Sequence, residues 1–300
     1  MDNSIPRQCP LCEGTVFRGE NVIKDYSVSG ETFSLWDCAS CGLRFTMPAP
    51  PTDRIGAYYQ SEAYVSHSDT REGSINKIYH IARDFMLGVK RRMVAAATPS
   101  RRVLDIGCGT GYFLHHLKGH GYDTTGVEAD PKARALAIGR FGLEVHPPQV
   151  LERGDLQGPF DAVTLWHVLE HVHDPHLYLK RAGELLPAGA VLLIAVPNFT
   201  AFDARWYGGF WAGYDVPRHL WHFRPDTLVR LVSEHGFALH RRKSLPLDPF
   251  YVALLSEKYK GSGAPGMLRA MLVALWSSIK SLLNVNNSSS IVYIFKKINF

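Results

Sequence analysis

The sequence predicts an α/β protein, a doubly wound and mostly parallel sheet with a small separate head at its N-terminus. Two observations carry this. Short apolar strands alternate with helices from Arg102 onward, and four of the five cysteines form two close pairs, Cys9/Cys12 and Cys38/Cys41. The 300 residues are 46% hydrophobic and 20% charged, which leaves room for a sizeable core and excludes a disordered or fibrous chain. No run of about 18 or more uncharged apolar residues occurs, so no bilayer span is expected. The first residues include an acidic Asp2 and no apolar stretch, so no secretory signal is expected, and the cytoplasm is the expected compartment. The net charge of +5 is scattered, and its short runs, Lys90 to Arg92 and Arg241 to Lys243, read as solvated ends of elements.

The head comes first in the chain. Paired CxxC turns without a secretory signal read as metal before disulfide. Each turn presents two sulfurs to one side of an ion, and two turns close a tetrahedral Zn²⁺ shell. Residues 16–18, 22–28 and 32–36 have the β-branched and aromatic content of the short strands of a zinc ribbon. With four thiolates and no open position, the expected zinc is structural. The proline-rich stretch 47–51 ends this unit. The expected division is a zinc ribbon over 1–47, a linker and covering helix over 48–98, and the sheet domain over 99–300.

Apolar residues at Ile75, Ile78, Tyr79, Ala82, Phe85, Met86, Val89 and Met93 recur every three or four positions and predict one amphipathic helix over 74–97. The pattern then alternates: strands at 102–106, 123–128, 143–146, 160–165 and 190–196, with helices at 112–119, 131–141 and 175–186. A helix at 225–236, a sixth strand at 238–244, helices at 249–260 and 266–283, a loop at 286–290 and a strand at 291–296 complete seven strands. Alternation of this kind means a parallel sheet covered on both faces, with ligands at the C-terminal strand ends.

The segment Val103-Leu-Asp-Ile-Gly-Cys-Gly-Thr-Gly111 carries the chemistry. Glycines after a strand permit a tight turn and close approach to a ligand. Asp105 precedes them where a pyrophosphate would be repelled, so the ligand carries a positive group. Glu128, 17 residues after Gly111, ends the second strand and suits the two hydroxyls of a ribose. A nucleoside with a cationic tail and no phosphates fits both, and S-adenosylmethionine is such a molecule.

These motifs, with Phe160-Asp-Ala-Val-Thr-Leu-Trp-His-Val-Leu-Glu-His171, resemble the class I S-adenosylmethionine-dependent methyltransferases over residues 102–197. The resemblance implies a Rossmann-like seven-stranded sheet whose last strand is antiparallel. It implies that Asp105, Gly107 and Gly109 hold the methionine end, that Glu128 holds the ribose, and that Gln149 and Val150 flank the adenine. Cys108, Gly111, Tyr112, Phe113, Ala129, Trp166 and His167 complete the expected cofactor edge, with the Cys108 thiol packing under the turn. The run Pro217-Arg-His-Leu-Trp-His-Phe223 is similar to that of zinc-ribbon methyltransferases of sugar, polysaccharide and natural-product pathways.

His171 and His219 are the candidate general bases. Two histidines four apart, His167 and His171, share a helical face but lack the order of a metal-binding H-E-x-x-H helix. The aromatic loop 206–223 is expected to close over substrate, and the substrate candidates are Tyr58, Tyr59, Tyr64, Glu170, Tyr207, Tyr214, Arg218 and His222. The expected reaction is O- or C-methylation of a sugar-like or phenolic small molecule or glycan precursor. An RNA base methyltransferase and a non-catalytic S-adenosylmethionine-binding protein are the alternatives; the mild, scattered charge argues against a nucleic-acid partner. The apolar stripe from Met267 to Leu283 is wide for a surface helix, and core packing, a dimer face and peripheral membrane contact are its readings in that order.

Overall fold

A computed structural model of the protein describes residues 7–9, 11–59 and 74–298. Tyr64 and the side chains of Ile75, Ile78 and Tyr79 lie outside the described residues.

The head is a small antiparallel sheet of β1 (Phe17–Lys24), β2 (Thr32–Cys38) and β3 (Arg44–Met47). The expected strands at 16–18 and 22–28 are one strand with a register shift between Arg18 and Asn21. It stops at Lys24 because the Asp25 carboxylate accepts the N–H groups of Ser27, Val28 and Ser29 and closes a turn. The helix α1 (Ser74–Ala97) follows the predicted bounds.

The second sheet has seven strands: β4 (Arg102–Ile106), β5 (Asp123–Val127), β6 (Glu144–His146), β7 (Ala162–Trp166), β8 (Val191–Pro197), β10 (Phe237–Ser244) and β11 (Ser290–Lys297). Their spatial order is β10-β11-β8-β7-β4-β5-β6. The β4–β5, β4–β7, β5–β6 and β7–β8 pairs are parallel, and β11 runs antiparallel to both β8 and β10. All five residues of β7 are buried, as both-face coverage requires. The helices between strands are α2 (Tyr112–Lys118), α3 (Pro131–Phe141), α4 (Pro148–Arg153), α5 (Pro175–Leu185), α6 (Phe202–Tyr207) and α7 (Pro225–Ser233).

Two features depart from the expectation. The two-residue strand β9 (Trp221–His222) leaves the 206–223 loop and pairs with β3, so this loop extends the sheet of the head. After β10, α8 (Asp248–Tyr259) and α9 (Gly263–Leu283) pack on each other. The apolar stripe of α9 does not pack on the core: Leu268, Leu272 and Leu275 are exposed, and Ala270, Ala274 and Ser277 are buried instead. α9 is long and apolar enough to cross a membrane by length and composition, although Arg269 and Lys280 keep it from being an uncharged run.

Candidate active site

The cofactor edge lies at the C-terminal ends of β4 and β5. Gly107 has φ +76°, and a Cβ there would stand 2.3 Å from Val168 Cγ2, so only glycine makes this turn. A Cβ on Gly126 would meet Cys108 Sγ at 2.7 Å, which places that thiol under the turn. Burial pushes the thiol well above its ordinary range, so it is no nucleophile. Cys108 therefore serves the turn through its backbone, whose N–H donates to Val127 O.

Asp105 is buried and accepts from Thr164 Oγ1. Burial pushes its carboxyl up to about 7, although Thr164 and Lys90 pull the other way. Glu128 accepts from Gly109 N at 2.7 Å through Oε2 and from Asp130 N at 2.9 Å through Oε1. Both oxygens are thus oriented by backbone donors, and each keeps a lone pair for a hydroxyl. Among the described residues, and leaving aside its chain neighbours, no atom lies within 4 Å of the Cβ position of Gly109, so the turn faces open space there. Two carboxylates at adjacent strand ends and an open glycine turn fit S-adenosylmethionine: Asp105 for the ammonium, the turn for the methionine backbone, Glu128 for the ribose. Ala129 follows on the same edge, and Gln149 and Val150 lie in the first turn of α4, with Gln149 exposed. Tyr112 opens α2 with Arg83 above its ring and its hydroxyl accepting from Arg140, while Phe113 packs edge-on against Trp166 in the core.

Lys90 was missed. It stands 4.7 Å from the centre of the Trp166 ring, and Asp105 and Asp248 favour its charge against a burial that disfavours it. The solvated reading of its run fails at Lys90 because that position borders the apolar stripe of α1 at Met86 and Val89, while Arg92 is exposed.

The acceptor side begins at the end of β7. His167 takes a left-handed φ of 57°, and its ring lies between Glu170 Oε1 (3.3 Å) and Asp248 Oδ2 (3.2 Å). Burial disfavours its charge, but these carboxylates more than offset that and hold it up at about 9. His167 is thus an ionised structural residue, not a bare cofactor contact, and Asp248 is a partner that no motif announces. Glu170 is fully buried, and its Oε2 has no hydrogen-bond partner among the described residues. The His171 and His219 rings meet edge to face at 4.5 Å, and single donor atoms of Glu170, His171 and His219 lie within 4.8 Å of one another. That spacing suits one shared proton donor or one divalent cation.

The two candidate bases differ. His171 Nδ1 sits 3.1 Å from the Arg218 carbonyl and 2.9 Å from Tyr59 Oη, and burial and His219 lower its pKa to about 4. It is neutral and a weak base. His219 Nδ1 lies 2.9 Å from Gly213 O, and its Nε2 makes no closer contact to Asp215 than 3.9 Å.

Four expected substrate contacts are structural instead. Arg218 is buried and ion-paired with Asp25 (2.9 Å) and Asp215 (2.7 Å), and it donates to Tyr58 O. It ties the β1–β2 turn to the loop. The Tyr214 hydroxyl accepts from Arg44, and His222 Nε2 pairs with Thr46 Oγ1 at 2.9 Å. Tyr207 is buried beneath α8 and α9, in the cluster of Ala253 and Ala270. For Arg218, Tyr214 and His222 the cause is common: β9 and its flanks pack against the head, so these side chains spend their polar atoms on the seam. Tyr58 is also engaged, through its hydroxyl to Glu31.

The four cysteines converge. Cys9–Cys41 and Cys12–Cys38 sulfurs lie 3.7 and 3.5 Å apart, and all four fall within 4.8 Å. A tetrahedron with Zn–S near 2.3 Å has edges of about 3.8 Å, so the four thiols fit one Zn²⁺.

Residues 79–241 match the model of the family described as "Methyltransferase domain", more than half of the chain. A ubiquinone biosynthesis O-methyltransferase of Maricaulis maris (strain MCS10) is 30% identical over 162 residues, which cover 49% of this chain and 63% of that protein. One from Caulobacter sp. (strain K31) is 35% identical over 105 residues, 33% of this chain and 42% of that protein. The chain thus spans less than two thirds of the length of these relatives. Among solved structures, magnesium protoporphyrin IX methyltransferase from Synechocystis PCC 6803 superposes with a TM-score of 0.53 at 13% identity, covering 82% of this chain and all of that one. The 1,6-didemethyltoxoflavin-N1-methyltransferase of Burkholderia thailandensis gives 0.51 at 16% identity, over 94% of this chain and all of that one. At such identities the structures establish the fold alone. The strand order, the glycine turn and the acid at the end of the second strand agree with the sequence match, and the chain belongs to the methyltransferase domain family.

Proposed function

We propose that the protein transfers a methyl group from S-adenosylmethionine to a hydroxyl oxygen of a small molecule, phenolic or sugar-like. The observation that carries this is one of placement. Asp105 and Glu128 end adjacent strands β4 and β5, while Glu170, His171 and His219 gather beyond the end of β7, on the other side of β4. The O-methyltransferase relatives favour oxygen as the acceptor atom. Bound S-adenosylmethionine supplies a sulfonium methyl for in-line displacement, and its thioether leaves without an acid.

The protein's part is to hold and to deprotonate. Asp105 and Glu128 hold the two ends of the donor. His219 Nε2 takes the acceptor proton, and the buried Glu170 carboxylate stabilises the imidazolium that results. Tyr59 and His171 border the same space. In the head, four thiolates from Cys9, Cys12, Cys38 and Cys41 hold one structural Zn²⁺.

The test is methyl transfer in a single turnover, with labelled donor and a fractionated small-molecule extract. His219→Gln is expected to lower the rate by about 10²–10⁴-fold with donor affinity unchanged. A full rate in that variant removes His219 from the mechanism, and label found only in RNA overturns the small-molecule reading.

A further inference from the structure

Methyl transfer leaves the outer face of α9 unused. Leu268 is 68% exposed, Leu282 86% and Leu283 82%, and Leu272, Leu275 and Trp276 lie exposed between them. Monomeric soluble proteins rarely expose so continuous an apolar surface. Exposed Trp206 on α6 lies beside it, its ring 5.9 Å from Phe202, over which Lys280 of α9 sits.

The exposed charges of the α8 end and α9 have one sign. Gly263–Leu283 contains Arg269 and Lys280 and no carboxylate. Across residues 256–284 the only acid is Glu257, which is buried and paired with Arg269. Lys258 and Lys260 are exposed at the end of α8 and beyond, and Lys280 Nζ lies over the rings of Trp276 (5.4 Å) and Phe202 (5.7 Å). A lysine beside a tryptophan at the rim of an apolar face suits a lipid headgroup level. A second copy of this face offers its lysines no acid, whereas an anionic lipid does.

The opposite side fixes the orientation. Ser277 donates to the buried Asp203 at 3.0 Å, and Ala270, Val273 and Ala274 are packed in the core. The helix therefore cannot leave the core to span a bilayer and keep these contacts.

We propose that α9 lies in the plane of an anionic membrane surface, with its Leu/Trp face in the acyl boundary and its lysines on the headgroups. The proposal is independent of the acceptor's identity.

Co-sedimentation of the full chain with vesicles tests it, using phosphatidylcholine alone and phosphatidylcholine containing phosphatidylglycerol. Binding to the anionic vesicles is expected, with affinity about tenfold or more above that for the neutral ones and falling with salt. Leu272→Gln/Leu275→Gln is expected to abolish it while melting temperature and S-adenosylmethionine affinity hold. Absence of binding to either vesicle overturns the proposal, as does a double variant that binds as well as the parent. A stable dimer dispersed by the same two substitutions, seen in sedimentation velocity, assigns the face to a second copy and also overturns it.

Discussion

Asp105, Gly107, Gly109 and Glu128 fall within 24 consecutive residues, and the parallel register of β4 and β5 sets them side by side. Across the cleft, His171 meets Tyr59 over a sequence separation of 112 and the Arg218 carbonyl over 47. The donor side is thus set mainly by two adjacent strands and the turn between them, with Thr164 and Val168 packed against it, and the acceptor side by packing the head, the β7 end and the 206–223 loop together. The first is therefore expected to tolerate changes in the head, while the second depends on the seam between two sheets.

Removing metal is the strongest test of that difference. If Zn²⁺ holds the head, a strong chelator removes on the order of 10 kcal/mol of folding energy from it. Calorimetry with metal analysis is expected to show loss of the head's transition and of methyl transfer, with donor binding largely kept. An unchanged thermogram means that the head stands without metal.

Next in size is Arg218→Ala, which strands Asp25 in the interior. Breaking a buried pair in this way costs roughly 3–5 kcal/mol, measurable as a lower urea midpoint. Donor affinity is expected to hold, and its loss alongside stability shows that the two sides are coupled.

Asp105→Asn acts on the donor side alone. Loss of a charged hydrogen-bond acceptor is worth about 1.5–3 kcal/mol, so titration calorimetry is expected to show donor affinity roughly 10- to 150-fold weaker. Equal affinity removes Asp105 from the ammonium site.

The smallest effects are in pH. Asp105 holds its proton up to about 7 in the folded protein, and a cationic ammonium requires the carboxylate. Donor affinity is expected to rise as pH rises through about 7, with a proton released on binding. His167 moves oppositely. Its pKa is raised from 6.5 to about 9, so its ion pairs stabilise fully below pH 6.5 and are lost as pH rises through 9. The ring is partly exposed, so a modest fall in melting temperature is expected over that window. His167→Gln is expected to flatten that fall, and a slope that persists in the variant traces to another group.

Most elements of the sheet domain were legible because burial on both faces leaves short apolar runs and because glycine and proline punctuate them. The head's strands were less so: β3 is four residues long, and the end of β1 is set by the Asp25 turn. Arg218 and Tyr214 were misread because an arginine and a tyrosine in an aromatic loop look the same whether they face a ligand or a neighbouring sheet. Lys90 and Asp248 carried no signal beyond their positions beside apolar residues.

By itself the sequence determined the order of the strands' chemistry, the glycine turn, the two carboxylates at the donor edge and the paired cysteines. Each of these is a matter of backbone conformation or near spacing, which a few adjacent residues dictate. Only the tertiary structure decided that β9 joins the head's sheet, that Arg218 seals this seam, that Glu170 is buried with one oxygen unpaired among the described residues, and that α9 turns its small residues inward and its leucines out. Those outcomes depend on which distant surfaces meet, and composition fixes the apolar area of a helix without fixing which side of it finds the core.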